Sequence, residues 1–276
     1  MYQKPSVPRS IGGVLDDTLQ LYKASLPSCW LPALLVSVVT AALSYFVVAS
    51  VPLTAATLEP AQLLARYRNM LGAFGIWYLV VIALTLVLYG MLIVNVAAVS
   101  RGEIPAFGAS LAQGARRAPA LLVASIVFFI AITIGFILLL IPGFYVWNRL
   151  QLYMVPLVAE PQGPFESLGT SWRLVGGNWW RTATVVAVMV IILLVLEMVL
   201  GFLAGLVAAV GSSGMSTTTP LALVGRVSLI TLIAGGVVRI FTTPLVFAAA
   251  VALYQDLLLR KGGADLEARL GALPKG

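Results

Sequence analysis

An all-α, polytopic membrane bundle is the fold class this sequence predicts, with about six transmembrane helices and three interfacial amphipathic helices in a pseudo-threefold repeat. Three observations point there. Hydrophobic residues make up 61% of the 276-residue chain and charged residues 10%, with a mean hydropathy of +1.02, whereas soluble domains carry about 25% charged residues. The apolar residues fall into runs long enough to cross hydrocarbon as helices, which takes about 20 residues each. The basic residues collect in alternate connections between those runs. A chain of this length holds one such bundle, so residues 1–276 read as a single integral membrane domain.

The expected spans follow the apolar runs. They are Ser28 to Val51, Leu71 to Val99, Pro119 to Leu140, Phe144 to Ala159 and Ala183 to Val210, then a long last segment from Pro220 to Leu259. Ile141-Pro142-Gly143 is short enough to be only a hairpin corner between the third and fourth, because proline cannot extend a helix and glycine accepts a turn. The last segment would reach about 60 Å as a straight helix, twice the hydrocarbon thickness. Gly235-Gly236 and Pro244 are its natural breakpoints, giving an outer piece from Pro220 to about Val238 and a spanning piece from about Ile240 to Leu259.

Charge orients the bundle. Lys4, Arg9 and Lys23 precede the first span, Arg101, Arg116 and Arg117 lie in the second connection, Arg173 and Arg181 in the fourth, and Arg260, Lys261, Arg269 and Lys275 in the tail. The opposite connections offer Arg66 and Arg68, with Arg226 arguable. Cytoplasmic loops carry the excess of Lys and Arg, so both termini are expected in the cytoplasm and the number of crossings is even. A cleaved signal peptide is not expected, since Asp16 and Asp17 interrupt the start and the first apolar run begins only near Ser28.

Before three of the spans the apolar residues keep a period near 3.6. Phe165, Leu168, Trp172, Val175 and Trp179 form one such face, Ile11, Leu15, Thr18, Tyr22 and Leu26 a second, and Phe107, Leu111 and Ala118 a weaker third. Aligning Leu19, Leu111 and Trp172 also aligns Pro27, Pro119 and Trp180, so the chain reads as three units, each an interfacial helix followed by a two-span hairpin. Trp172, Arg173, Trp179, Trp180 and Arg181 are then candidate contacts to the interface and to anionic phospholipid headgroups, since indoles prefer the headgroup level and arginines snorkel toward phosphate. Gly176-Gly177 ends the helix and lets the chain turn into the next span.

Glu197 is the one acid well inside a span, and an intramembrane charge is costly unless paired. It lies 16 residues after Arg181, about 24 Å along a helix. Arg149, six residues after Gly143, comes about 9 Å below the far interface and so at similar depth. Depth matching therefore selects Arg149 as partner before Arg239, with Asn95 and Asn148 able to bridge helices by hydrogen bonds. The pair reads either as a structural tie or as part of a polar transport site formed by Glu197, Arg149, Arg239 and Asn95. Gly201-Phe-Leu-Ala-Gly205 offers a small-residue face for close packing, within the bundle or between copies.

The chain has no histidine and one cysteine, Cys29, which removes internal disulfides and the commonest metal and acid–base residue. No phosphate loop, nucleophile–base pair or metal-ligand spacing stands out. The expected role is therefore non-enzymatic, without catalytic residues, metal or cofactor: a structural, accessory or lipid-interacting membrane component. The alternative is a small transporter or channel around Glu197 and Arg149. The partners are the lipid bilayer and its anionic headgroups, a second copy or another membrane protein being open, and not nucleic acid, since the basic residues behind the net charge of +7 cluster in alternate loops.

Ile141-Pro142-Gly143, Glu160 with Gly163-Pro164, Ser171-Trp172-Arg173-Leu174 with Gly177-Asn178-Trp179, and Tyr254-Gln255-Asp256-Leu257 with Arg260 and Asp265-Leu266 form a further pattern. Together they resemble the membrane domain associated with bacterial glycerophosphoryl diester phosphodiesterases and its stand-alone relatives. The resemblance implies a helical membrane fold, a bacterial inner-membrane address and an association with lipid. It does not imply phosphodiesterase activity, which in that family belongs to a separate barrel domain with histidines that this chain lacks.

Overall fold

The computed structural model describes residue 2 and residues 4–50, 59–212 and 220–271, and among these the regular structure is helical throughout. The elements are α1 (Ile11–Ser50), α2 (Pro60–Ser100), α3 (Phe107–Leu138), α4 (Leu140–Leu150), α5 (Met154–Ala159), α6 (Pro164–Val175), α7 (Trp179–Ser212) and α8 (Pro220–Gly271). Five stretches within them are long and apolar enough to cross a membrane: Ile11–Tyr45, Trp77–Ser100, Phe107–Leu138, Trp179–Val207 and Leu232–Gly263. The residues of the fourth expected span, 144–159, fall in α4 and α5, separated by a turn at residues 151–153, and are not among these five.

α2 and α8 form the centre, and α1 packs chiefly against α8. The most apolar windows of α2 and α8 are 56% and 50% buried, against 28% for α1, 22% for α3 and 11% for α7, so α3 and α7 turn most of their side chains outward. Leu21 and Val36 of α1, Met91 to Ile93 of α2, Leu157 and Val158 of α5 and Val251 and Leu257 of α8 are almost wholly buried. α3 can lie against α2 because Gly114 faces Gly90. A Cβ on Gly114 would stand 2.5 Å from the Val87 carbonyl oxygen and 2.8 Å from the Met91 nitrogen, so only a glycine admits this approach.

Three expectations change. α8 runs unbroken through Gly235-Gly236 and Pro244, so the division near Val238 is not made; the proline costs one intrahelical bond without stopping the helix. Ile141-Pro142-Gly143 lies inside α4, where Pro142 sits in the first turn and needs no hydrogen-bond partner for its nitrogen. The corner is Leu139, whose extended backbone (φ −171°, ψ 157°) separates α3 from α4. Finally, the first two interfacial segments are not separate helices, because α1 continues through Pro27 and Pro32 and α3 through Pro119. Only α6 stands apart, ended by Gly176 and by Gly177 at φ +85°, a conformation that favours glycine.

Candidate functional site

Polar side chains concentrate where α7 begins and α8 approaches its end. α8 brings Asp256 there with 2% of its side chain exposed, and the carboxylate is saturated with donors. The Arg9 backbone N–H donates to Oδ1 at 2.8 Å. Arg181 donates to Oδ2 through Nε at 3.2 Å and Nη2 at 3.0 Å. Arg260, one helical turn beyond Asp256, donates to the same oxygen at 3.0 Å. Both guanidinium groups also donate to the Arg9 carbonyl oxygen, and the Arg9 side chain reaches Asp17 at 3.5 Å. The segment before α1 is thereby tied to α7 and α8. Arg181, a candidate headgroup contact, is 17% exposed and ion-paired with Asp256.

Adjacent residues extend the tie. Gln255 donates to Ser100 Oγ at 2.9 Å at the end of α2 and accepts from the Tyr2 hydroxyl at 3.4 Å. Burial, reinforced by the Asp17 charge, pushes the Tyr2 phenol up to about 12, so it remains a donor. Tyr254 donates to Glu160 Oε1 at 2.6 Å, and Arg117 of α3 donates to the Glu160 and Gln162 carbonyls at 3.2 Å. The Tyr254 to Arg260 stretch is thus a fastening point for the whole bundle. Its sequence signal was the spacing of Asp256 and Arg260, an i,i+4 pair.

Arg149 does not meet Glu197, contrary to the expected pair. It caps α6 instead: Nη2 donates to the Trp172 carbonyl at 2.9 Å and Nη1 to the Tyr145 hydroxyl at 2.8 Å. Its guanidinium lies 4.1 Å from the Trp172 ring centre and 5.4 Å from that of Tyr145. A cation at a helix C-terminus and over an indole is favourable on both counts. A Cβ on Gly176 would lie within reach of Arg149 Nη2, so this glycine makes room for the guanidinium. Ser171 Oγ donates to the Arg149 carbonyl at 2.8 Å, and Asn148 to the Trp179 carbonyl at 3.2 Å.

These residues form an aromatic corner. Tyr145 stacks on Trp179 at 5.8 Å and meets Trp172 edge-on at 6.0 Å, while Trp179 meets Trp180 at 4.7 Å. Trp180 is 79% exposed and Trp172 36%. Arg173 donates to Thr170 Oγ1 at 3.2 Å. Two donors within the corner, Arg149 Nε and Trp179 Nε1, are buried without a hydrogen-bond partner.

Glu197 and Arg239 share a cleft of about 230 Å³ with Gly201, Ala204, Ala234 and Gly235. Both charged residues are exposed, and no ion pair is recorded for either among the described residues. Among the described residues nothing comes within 4 Å of a Cβ placed on Gly201 or Gly205, so the expected packing of this small-residue face inside the bundle is not seen. Asn95 lies elsewhere: its Nδ2 donates to the Ser28 carbonyl at 2.8 Å. Pro32, four residues later, has no N–H to give that carbonyl, and Asn95 takes its place. Among the described residues no group of acids or cysteine is arranged to hold a metal ion.

Comparison with known proteins finds one match. The family described as Domain of unknown function (DUF7847) matches residues 70–257, from within α2 to the residue after Asp256. No curated protein and no solved structure matches the chain. Nothing in the family match links it to glycerophosphoryl diester phosphodiesterases, so the resemblance drawn from the motifs is replaced by this narrower assignment. With about two thirds of its length covered by that one match, the chain belongs to the DUF7847 family.

Proposed function

We propose that this chain is a non-enzymatic integral protein of a bacterial inner membrane, crossing it six times with both termini in the cytoplasm, and that it serves as a lipid-contacting accessory component. The observation that carries the reading is the aromatic corner. Exposed Trp180 and Trp172 rim it, Arg149 and Arg173 supply positive charge, and Arg149 Nε and Trp179 Nε1 are donors without acceptors. Indoles with arginines are the side chains that meet headgroups. Even parity of crossings is supported by the joining of residues 2–9 to the end of α8 through Tyr2–Gln255 and Arg9–Asp256, with α4 and α5 together completing the second hairpin.

The test is a vesicle reconstitution in which tryptophan emission is quenched by lipids brominated at different depths. Shallow quenchers should act most strongly, and Trp180→Phe should remove a large part of the effect. Quenching that strengthens steadily toward the bilayer centre would exclude the corner from the headgroup region. Reporter fusions at residue 276 and within residues 212–219 test the topology, which fails if both report the same side.

A second reading, a small transporter or channel, is favoured by the cleft that Glu197 shares with Arg239, since ionisable residues in a span mark ion or proton paths. It replaces the first if Glu197→Gln abolishes ion-coupled flux in proteoliposomes while leaving the fold intact.

A further inference from the structure

We propose that the cleft between the N-terminal segment and the end of α8 binds the phosphate group of an anionic glycerophospholipid headgroup. The proposal rests on the membrane placement above and gives its lipid contact a defined site, separate from the aromatic corner. The cleft holds about 840 Å³, within the size range of small-ligand sites. Lys4 and Ser6 line it from the N-terminal segment, Leu258, Leu259 and Arg260 from α8, and Asn178 from the α6–α7 connection.

Its lining carries charge of one sign. Lys4 and Arg260 are the ionised residues in it, and no carboxylate lines it. Asp256, the nearest acid, pairs with Arg260 but is shared with Arg181 and the Arg9 N–H, so it does not also neutralise Lys4. Two guanidinium groups share that one carboxylate, which leaves a surplus positive charge, and no acid among the described residues pairs with Lys4. The Ser6 hydroxyl and the Asn178 amide add neutral donors. Lys, Arg and such donors together match the oxygens of a phosphate.

Two features select a lipid over a soluble phosphate. The wall formed by Leu258 and Leu259 is apolar, with Leu258 40% exposed, which suits a glycerol backbone and the start of acyl chains. The apolar stretch of α8 also ends at Gly263 and that of α7 begins at Trp179, so the cleft opens where hydrocarbon would give way to headgroups.

The experiment uses the full chain in nanodiscs of mixed phosphatidylcholine and phosphatidylglycerol, with a photoactivatable phosphatidylglycerol probe and a matching phosphatidylcholine probe. Labelled peptides are mapped by mass spectrometry. The phosphatidylglycerol probe should label residues 4–8 and 258–263 in preference to the other. Lys4→Gln should lower that labelling about fivefold, the factor for one cation beside an anionic surface, and Lys4→Arg should retain it. Labelling at residues 172–176, which do not line the cleft, should not change with either variant. Equal labelling by the two probes, labelling undiminished by Lys4→Gln, or labelling abolished by millimolar inorganic phosphate would each overturn the proposal, the last by making the ligand a soluble anion. Absence of labelling at residues 172–176 by either probe, in the unmutated protein, would overturn the membrane placement on which it rests.

Discussion

Replacing Asp256 with asparagine should cost about 3 kcal/mol, the lower part of the range for removing one member of a buried ion pair. Asparagine keeps the shape of the side chain but not its charge, and turns an amide N–H₂ toward groups that are themselves donors. Arg181, Arg260 and the Arg9 N–H all lose an acceptor with the charge they now share. Two features hold the loss below the upper end. The Arg9 carbonyl continues to accept from both guanidinium groups, and their side chains, 17% and 28% exposed, can recover some hydration. Unfolding in mixed micelles, followed by helical circular dichroism, reads the loss. Arg181→Gln alone should cost about 2 kcal/mol, and the double variant should fall short of the sum by about 1 kcal/mol or more, as expected of contacting residues. A loss below about 0.5 kcal/mol for Asp256→Asn, the range of ordinary surface changes, would refute the view that this carboxylate fastens the bundle.

Three further outcomes follow from the same geometry. Gly114→Ala should destabilise by about 2 kcal/mol through overpacking against α2, while Gly108→Ala, with nothing within 4 Å of its new Cβ, should be neutral or slightly stabilising in the same unfolding assay. Arg149→Gln should cost about 2 kcal/mol through its lost cap and indole contact, and its effect should add to that of Glu197→Gln as independent sites do; a shortfall from additivity would restore the pair that the sequence suggested. The Tyr2 phenol is displaced upward from 10.0 to about 12, so its contribution is complete below pH 10 and is lost as pH rises through about 12. Protease cleavage of the N-terminal segment should increase across that window in excess of its increase in Tyr2→Phe, and identical profiles would show that the hydroxyl is not what holds the segment.

The helices were legible because long apolar runs permit few other structures, and the break before Trp179 because Gly176-Gly177 announces it. What the chain order concealed was which helix touches which. Depth along a helix can be counted from an interface, but azimuth cannot be read without knowing the neighbours, and Arg149 was therefore matched by depth to Glu197 although its side chain turns to the end of α6. The prolines misled for a related reason. Pro27, Pro119 and Pro244 remove one hydrogen bond each, yet tertiary contacts keep the helices continuous, and Asn95 shows how a carbonyl freed by Pro32 is satisfied from α2. Asp256 was noticed only as part of a pattern, because its partners Arg9 and Arg181 lie 247 and 75 positions away in the chain.

That separation also sets a clock. A ribosome adding about 5–20 residues per second releases Arg9 well before Asp256, which lies 247 positions downstream, an interval of roughly 10 to 50 s. Throughout it α1, which packs chiefly against α8, is already made while its principal neighbour is not. A nascent chain stalled or truncated before α8 therefore carries an orphaned first helix with Arg9 lacking its tie to Asp256. The face that α1 turns to α8 is therefore covered only once the last helix has been made.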